Sequence, residues 1–588
     1  MSIYHRNYTR WSILGDDKND TFPLNFHPIT ERLFHGDNFI FTNDIEKNTG
    51  SYCKIIKSPI REINIIPGVL ILNLSKTFGS VKGTKKMYYR CIPDSPNYPI
   101  FLVAYEMPYN GFNKKTTNQY ILFRWKEWGP QQTHPIGTID RIIGPVDNIH
   151  NLYEYEIFCK GLDNPTMRHF AKEVNQKLLF NNNNNNNNNN KEVVFLDKIS
   201  TNIQQPYIFT IDPPDCCDYD DAISIIDDIQ NNMIHLSVYI SNVPLLLDQL
   251  SIWDKITQVS TIYLPHKKKT MLPTILSDDK LSLRSGTTRD TMVMELIIEK
   301  TTSNICDIQF YNSKVYIHRN YHYEEPSLLS HLDYQLIKET VNNLTKSSTT
   351  QYITEIRDSH DIVAFLMIMM NHQIGTRLKI GIFRITENNI IIQSKREQTQ
   401  QLINAQWCCQ YIGSYIAYDA NNILLEKNLK TDMEMEQNMI RHEALQLDYY
   451  LHITSPIRRL VDNINMILFQ QQFGLHNYSF IANQFVDKWI SNIGIVFINK
   501  QTTTIRRLQN KCDIINIMKD MTSVEGTIIG KEGNIIHIYF HSIHKIFTTS
   551  FLSTTTEDNL VLSKTYSFCI HFFEDEDKMK KKIRLTLL

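Results

Sequence analysis

Short apolar runs bounded by polar residues, Gly and Pro mark the first third of the chain. Gly68–Leu74, Pro99–Tyr105 and Gln119–Trp125 read as strands, and Gly137, Gly144 and Pro145 punctuate the stretch that follows. Short strands with such turns predict small β-barrels. Further on the pattern becomes mixed. Strand-like runs at Tyr207–Ile211 and Ile234–Ile240 precede helical periodicity at Asp361–Arg377 and Thr399–Lys427, so an α/β region extends to roughly residue 515. The end returns to strands: Val524–Gly530 and Ile535–Phe540 flank Lys531-Glu532-Gly533-Asn534, which predicts a hairpin. No internal repeat interrupts this order.

Asn181–Asn190 is an unbroken run of ten asparagines. It buries no apolar surface to offset its ordering entropy, so a disordered linker is expected over 179–194. The Lys82-Gly83-Thr84-Lys85-Lys86 stretch beside Tyr88, Tyr89 and Arg90 reads either as a backbone-tracking basic patch with stacking aromatics or as a solvated charged turn.

Composition narrows the picture. The 588 residues suit about three or four domains. With 42% hydrophobic and 21% charged residues, the chain supports a packed core. Lys and Arg total 61 against 62 Asp and Glu, a net charge of −1, which excludes nucleic-acid binding by bulk charge but not a local basic channel. Ten cysteines form no C-x-x-C pair, so free thiols in a reducing compartment are expected. No apolar signal core or membrane-length run is present, and a cytoplasmic protein without membrane partners is the expectation.

The candidate chemistry lies in Ile211-Asp212-Pro213-Pro214-Asp215-Cys216-Cys217-Asp218-Tyr219-Asp220-Asp221-Ala222, directly after an apolar strand. Carboxylates this dense repel one another unless a cation neutralises them. Hard oxygen donors suit Mg²⁺, or Mn²⁺, rather than zinc, and such a site beside a phosphate serves phosphodiester hydrolysis. Alone, an Asp-rich loop is more often an acidic surface loop. A calcium loop lacks its glycine here.

The stretch resembles the signature of the RNase II/RNase R family, the RNB-domain exoribonucleases: a strand, I-D-P, then D-x-D-D-A. Asp212, Asp218, Asp220 and Asp221 match its four aspartates, and Asp215 is extra. Downstream, His452-Ile453-Thr454-Ser455-Pro456-Ile457-Arg458-Arg459-Leu460-Val461-Asp462 resembles H-F-T-S-P-I-R-R-Y-x-D. Tyr263-Leu264-Pro265, Met271-Leu272-Pro273, Leu276-Ser277 and Leu281-Ser282-Leu283 follow the family order, as do Ser313-Lys314-Val315 and Tyr323-Glu324-Glu325. The resemblance implies that the four aspartates hold one or two Mg²⁺ ions, with Asp220 and Arg458 catalytic. It further implies that Tyr263, Tyr323 and Arg458 contact RNA. Arg459 is instead expected to pair with an acid such as Asp462. Several positions depart from the family. Ala364-Phe365 stands where it often has an acidic pair, Leu460 replaces a tyrosine, and Met466-Ile467 replaces His-Arg.

The resemblance implies a multidomain fold: cold-shock-type OB-like β-barrels, a central α/β RNB catalytic domain and a C-terminal OB-like barrel. The expected boundaries are 1–64 of unknown type, 65–178 OB-like, the linker at 179–194, the RNB domain at 195–515 and an OB-like RNA-binding domain at 520–588. The expected activity is 3′→5′ hydrolysis of single-stranded RNA to nucleoside 5′-monophosphates. The alternative is a catalytically inactive RNA-binding homologue. The tail Lys578–Arg584 is a further candidate for phosphate contacts, set against the acidic Glu574–Asp577 before it.

Overall fold

The computed structural model describes residues 1–13, 26–41, 52–62, 65–74, 76–108, 116–185, 205–347, 352–353, 355–388, 411–420, 440–532, 535–543, 545–550, 560–575 and 579–588. The chain divides into two compact units. The first joins 1–163 to 510–526 and 565–588; the second joins 164–509 to 527–564.

The first unit is built on a closed barrel of β1 (Ile66–Leu70), β2 (Met87–Pro93), β3 (Phe101–Tyr105), β4 (Gln119–Glu127) and β5 (Ile136–Pro145), in the order β1-β2-β3-β5-β4. Its pairs are antiparallel except β3 with β5. Such closure leaves no free sheet edge and matches the expected OB-like architecture. Gly68 is required at its position on β1: a Cβ would stand 2.8 Å from Cys91 Sγ and 2.9 Å from the Phe123 ring. Residues ahead of the barrel complete its core, for Ile3, Tyr8, Phe34 and Ile60 are buried with Leu70, Cys91, Phe101 and Phe123. Tyr89 belongs to that core, so of the two neighbouring tyrosines it cannot serve as a stacking platform, while Lys82, Lys85 and Lys86 are exposed.

Helix α1 (Ile149–Cys159) brings Glu156 into the same unit, 1% exposed. Lys511 and Lys580 each donate to its Oε1 at 2.8 Å, and Lys580 also pairs with Asp94 at 2.6 Å. The described cations of the basic tail are therefore engaged within their own unit. Lys581 pairs with Glu574 at 2.9 Å, Lys582 pairs with Asp575, and Arg584 lies over the Phe573 ring. Lys578 of the same tail lies outside the described residues, and the contacts follow from antiparallel pairing of Thr565–Asp575 with Lys580–Leu587. That pairing sets acidic residues directly opposite basic ones.

The second unit opens with helix α2 (Met167–Asn185), which carries the first five residues of the asparagine run. A disordered linker beginning at 179 does not describe this stretch, because extending a formed helix adds a hydrogen bond per residue without repeating the nucleation cost. The remainder of the run lies outside the described residues.

A six-stranded sheet organises this unit. It comprises β6 (Phe209–Asp212), β7 (Asp221–Asp228), β8 (Met233–Ser241), β11 (Thr288–Glu299), β12 (Ile305–Tyr316) and β13 (Arg319–His322), in the order β12-β11-β8-β7-β6-β13. The hairpin strands β9 (Ile262–Leu264) and β10 (Lys267–Lys269) stand outside it. Both faces are covered, so these strands read as apolar runs rather than as alternation. One face packs Phe209, Ile211, Ile223, Leu236 and Met294 against α3 (Leu332–Ser347) and α4 (Ser359–Gly375). Ile208, Ala222, Tyr239 and Val293 form a separate cluster with Leu283 and Val315.

The helix expected over 399–427 is corrected. Tyr411–Asp419 is a strand, β15, paired antiparallel with β14 (Ile380–Asn388). Its Tyr, Ile and Tyr side chains suit a pleated surface, and a long-range partner decides between the two periodicities. The rest of that span lies outside the described residues, as do Gly533 and Asn534 of the expected C-terminal turn. No helix among the described residues is long and apolar enough to cross a membrane.

Burial pushes the Glu156 carboxyl up, but Lys511 and Lys580 more than offset it and hold it at about 2. A depressed carboxylate stabilises the fold above its ordinary value of 4.5, and that contribution is lost as pH falls from there through about 2. The first unit should lose about 3 kcal/mol over that window. Melting curves recorded across it should show the loss, and Glu156→Gln should flatten it.

Candidate active site

The aspartate loop is set by what precedes and what pins it. Strand β6 ends at Asp212, where Pro213 and Pro214 cannot continue the ladder, and Cys216 N turns back onto Pro213 O at 3.1 Å. The return to β7 is fixed by Ser282, which is fully buried. Its hydroxyl donates to Cys217 O at 2.8 Å and accepts from Tyr219 N at 3.1 Å. Leu283 N donates to Tyr219 O at 3.0 Å, and Ser241 N to Asp220 O at 2.9 Å. The Leu281-Ser282-Leu283 block thus acts as the clamp on the acidic loop.

Arg458 arrives from the other end of the chain. Thr261 N donates to Arg458 O, and Leu460 N to Val259 O, each at 3.0 Å. These bonds seat the turn before α5 (Leu460–Gln472) beside the β9–β10 hairpin. Asp220 receives Ile457 N on Oδ1 at 2.8 Å and Arg458 Nε on Oδ2 at 3.2 Å. Arg458 Nη2 is steadied by Ser455 Oγ at 3.0 Å. Arg459 pairs with Asp462 at 2.9 Å, and Asp462 also receives Ser455 N at 2.7 Å, so this second arginine braces the turn.

The remaining residues surround this centre. Tyr263 on β9 donates its phenol to Asp218 Oδ2 at 3.1 Å and is 37% exposed. Lys268 on β10 donates to Asp218 Oδ1 at 2.8 Å and Asp278 Oδ1 at 3.0 Å. Tyr323 follows β13, its amide on Asp212 O at 3.2 Å and its ring stacked on His360 with centroids 3.6 Å apart. Glu324 holds the turn at φ 55° and accepts Ser359 N at 2.7 Å, tying Tyr323 to the start of α4. All seven residues expected from the sequence are in the second unit.

Lys268, Asp278 and His360 were not anticipated. The string His266-Lys267-Lys268-Lys269 was visible between the two Leu-Pro motifs. Which of its lysines points to the aspartates depends on hairpin register. Phe365 is 1% exposed in the core and packs on Tyr352, so this position contributes apolar volume.

Electrostatics mark the centre as strained. Burial raises the carboxyls of Asp212 and Asp221; the Asp220 charge raises Asp212 further and the Asp212 charge raises Asp221, while Arg458 pulls both down. Burial also raises Asp220, to about 8, against the pull of Arg458 and the Ile457 amide. Burial pulls Arg458 down, but Asp220, Tyr263 and Asp221 hold it above its ordinary value, so it stays cationic.

Among the described residues, no three His, Cys, Asp or Glu side chains stand ready to hold a metal in this arrangement. The donor chemistry nonetheless fits a hard divalent cation. Asp212 Oδ2 is buried without a hydrogen-bond partner, beside a second carboxylate that repels it. Uncompensated buried charge of this kind is what a cation relieves.

A family model described as the RNB domain matches residues 201–348 and 329–473, the stretch that holds this centre. This part of the chain is thus similar to an RNB domain. Among curated proteins, Ribonuclease R of Chlamydia pneumoniae is 24% identical over 309 residues, covering 44% of this chain and 45% of that protein. Ribonuclease R of Mycoplasmopsis pulmonis is 25% identical over 343 residues, covering 48% of this chain and 46% of the relative. The matched stretch thus spans under half the length of these relatives. Among solved structures, Mycoplasma genitalium RNase R in complex with ribose methylated single-stranded RNA superposes with a TM-score of 0.61 at 14% identity, covering 95% of both chains. Yeast Ssd1, described as a pseudonuclease, superposes with a TM-score of 0.53 at 12% identity over 85% of this chain and 66% of its own. The fold is therefore that of RNase R.

His452, at the head of the arginine turn, is half-buried, with its Nδ1 bonded to the Tyr415 hydroxyl at 2.8 Å. Burial, then Arg459 and Arg384, hold it well below its ordinary value. Burial and Arg384 lower His442 to about 4. Both are neutral in the fold, so they favour it above pH 6.5, and that stability is lost as pH falls from there through about 4. Thermal melts of the second unit should decline over this range, and His442→Gln should lessen the decline.

Proposed function

We propose that this protein is a metal-dependent exoribonuclease that shortens single-stranded RNA from its 3′ end and releases nucleoside 5′-monophosphates. The observation that carries the reading is the meeting of Arg458 with the buried aspartates of an RNB-like domain, Arg458 Nε to Asp220 Oδ2 at 3.2 Å. The RNase R relatives, one of them solved with single-stranded RNA, support the same substrate.

Asp212, Asp218, Asp220 and Asp221 are the residues that would hold Mg²⁺, or Mn²⁺ in its place. When bound, the ion supplies charge neutralisation and activation of water for phosphodiester hydrolysis. Arg458, 45% exposed along its side chain and anchored by Asp220 and Ser455, directs a permanent positive charge at the scissile phosphate. Tyr263 offers an exposed ring while its hydroxyl is tied to Asp218, which limits the entropy lost when a base stacks on it. Tyr323, backed by the His360 ring, forms a second such surface. Stacking accepts any base, as a degradative enzyme requires, and the 2′-hydroxyl distinguishes RNA from DNA.

The second reading is an inactive RNA-binding homologue. One observation favours it: both oxygens of Asp218 and both of Asp220 already accept hydrogen bonds from protein groups.

A time course on 5′-labelled single-stranded RNA with Mg²⁺ separates the two. Progressive shortening is expected, with a 3′-blocked copy spared; tight binding without cleavage would establish the second reading. Asp220→Asn should lower hydrolysis by about 100-fold or more while RNA binding persists in a filter assay. EDTA should stop turnover and excess Mg²⁺ restore it; full activity in chelator would exclude the metal mechanism.

A further inference from the structure

Tyr263 and Lys268 are directly opposite across the β9–β10 hairpin and reach the same carboxylate. The phenol takes Asp218 Oδ2 at 3.1 Å and the ammonium takes Oδ1 at 2.8 Å. Asp278, itself fixed by the Ser277 hydroxyl at 2.7 Å, holds the ammonium from behind at 3.0 Å. The lysine side chain is 23% exposed and that of Asp218 only 6%, so this pair is shielded from bulk water. Shielding strengthens it relative to a surface ion pair.

The rest of the centre is different. Asp212 Oδ2 is buried and without a partner, and Asp221 is the carboxylate that repels it. The four aspartates are therefore unequal. Asp218 is ion-paired to Lys268 and Asp220 to Arg458; Asp212 and Asp221 feel the Arg458 charge, and Asp212 Oδ2 keeps no hydrogen bond. A fixed ammonium on Asp218 repels any divalent ion that approaches that carboxylate, and it removes an oxygen the ion would use.

We propose that Lys268 is a built-in cation of the acidic centre, which positions Asp218 and weakens divalent-metal binding at that carboxylate. The inference rests on the metal-dependent reading above and specifies how the chain meets its metal. Lys268 is a positioning residue: it sets the charge and number of the available ligands.

The test is a Mn²⁺ titration of the full chain without RNA, by calorimetry or by electron paramagnetic resonance of the free ion. Lys268→Met should bind Mn²⁺ at least about five-fold more tightly than the unsubstituted chain, because a neighbouring positive charge is gone. Lys268→Arg should bind like the unsubstituted chain. Circular dichroism checks that the variants fold, and Lys268→Gln makes the same comparison should the methionine variant fail to do so. A smaller gain for the neutral variants overturns the proposal and leaves the hydrolase reading standing. Absence of Mn²⁺ binding in every form overturns both. RNA left uncleaved, with the affinity difference present, overturns only the hydrolase.

Discussion

Four carboxylates sit where two inner strands of a covered sheet meet end to start, and placing that much like charge away from water is the constraint the second unit is built around. Each aspartate taken from water alone would be expensive. The chain meets the cost with cations brought from elsewhere: Arg458 to Asp220 from a turn late in the sequence, and Lys268 to Asp218 from a hairpin. Arg459 plays the same part for the buried Asp462, which braces that turn. Backbone amides complete the arrangement, with Ile457 N on Asp220 and Ser455 N on Asp462. The motifs that stand out in the sequence are therefore the two sides of one electrostatic balance.

The balance is incomplete at Asp212, whose Oδ2 is buried without a hydrogen bond, and that incompleteness has a physical use. A fully neutralised centre has no affinity for an incoming cation, whereas one with no internal cations would be hard to fold. Strain retained at a functional site, with the surrounding structure over-determining the geometry, is the general pattern. Here the surrounding structure is concrete: Ser282 grips the aspartate loop at two points, and Glu324 ties the Tyr323 turn to helix α4.

Much of this was legible in the sequence, for reasons that can be stated residue by residue. The Asp212–Asp221 loop and the Ser455–Asp462 turn are contiguous, so resemblance to a family signature picks them out where either run alone would pass for surface. The barrel strands at Phe101 and Gln119 are apolar runs with clear breaks on either side, and they form close to where the pattern puts them. Legibility fails where a distant partner decides. Tyr411–Asp419 has a composition compatible with either periodicity until Ile380–Asn388 pairs with it. Lys268 is one of three consecutive lysines, and only the register opposite Tyr263 selects it. The tail lysines read as free charges until antiparallel pairing sets them across from Glu574 and Asp575.

The bond from Ile457 N to Asp220 spans 237 residues. Its closure needs the sheet and the arginine turn to be present together, and contacts so far apart in sequence form only after the intervening chain is available. During synthesis, a ribosome that has not yet released Arg458 from its exit tunnel carries a chain with the acidic loop and no cation for Asp220. The distance between the two motifs thus means that the centre is complete only once most of the protein has been made.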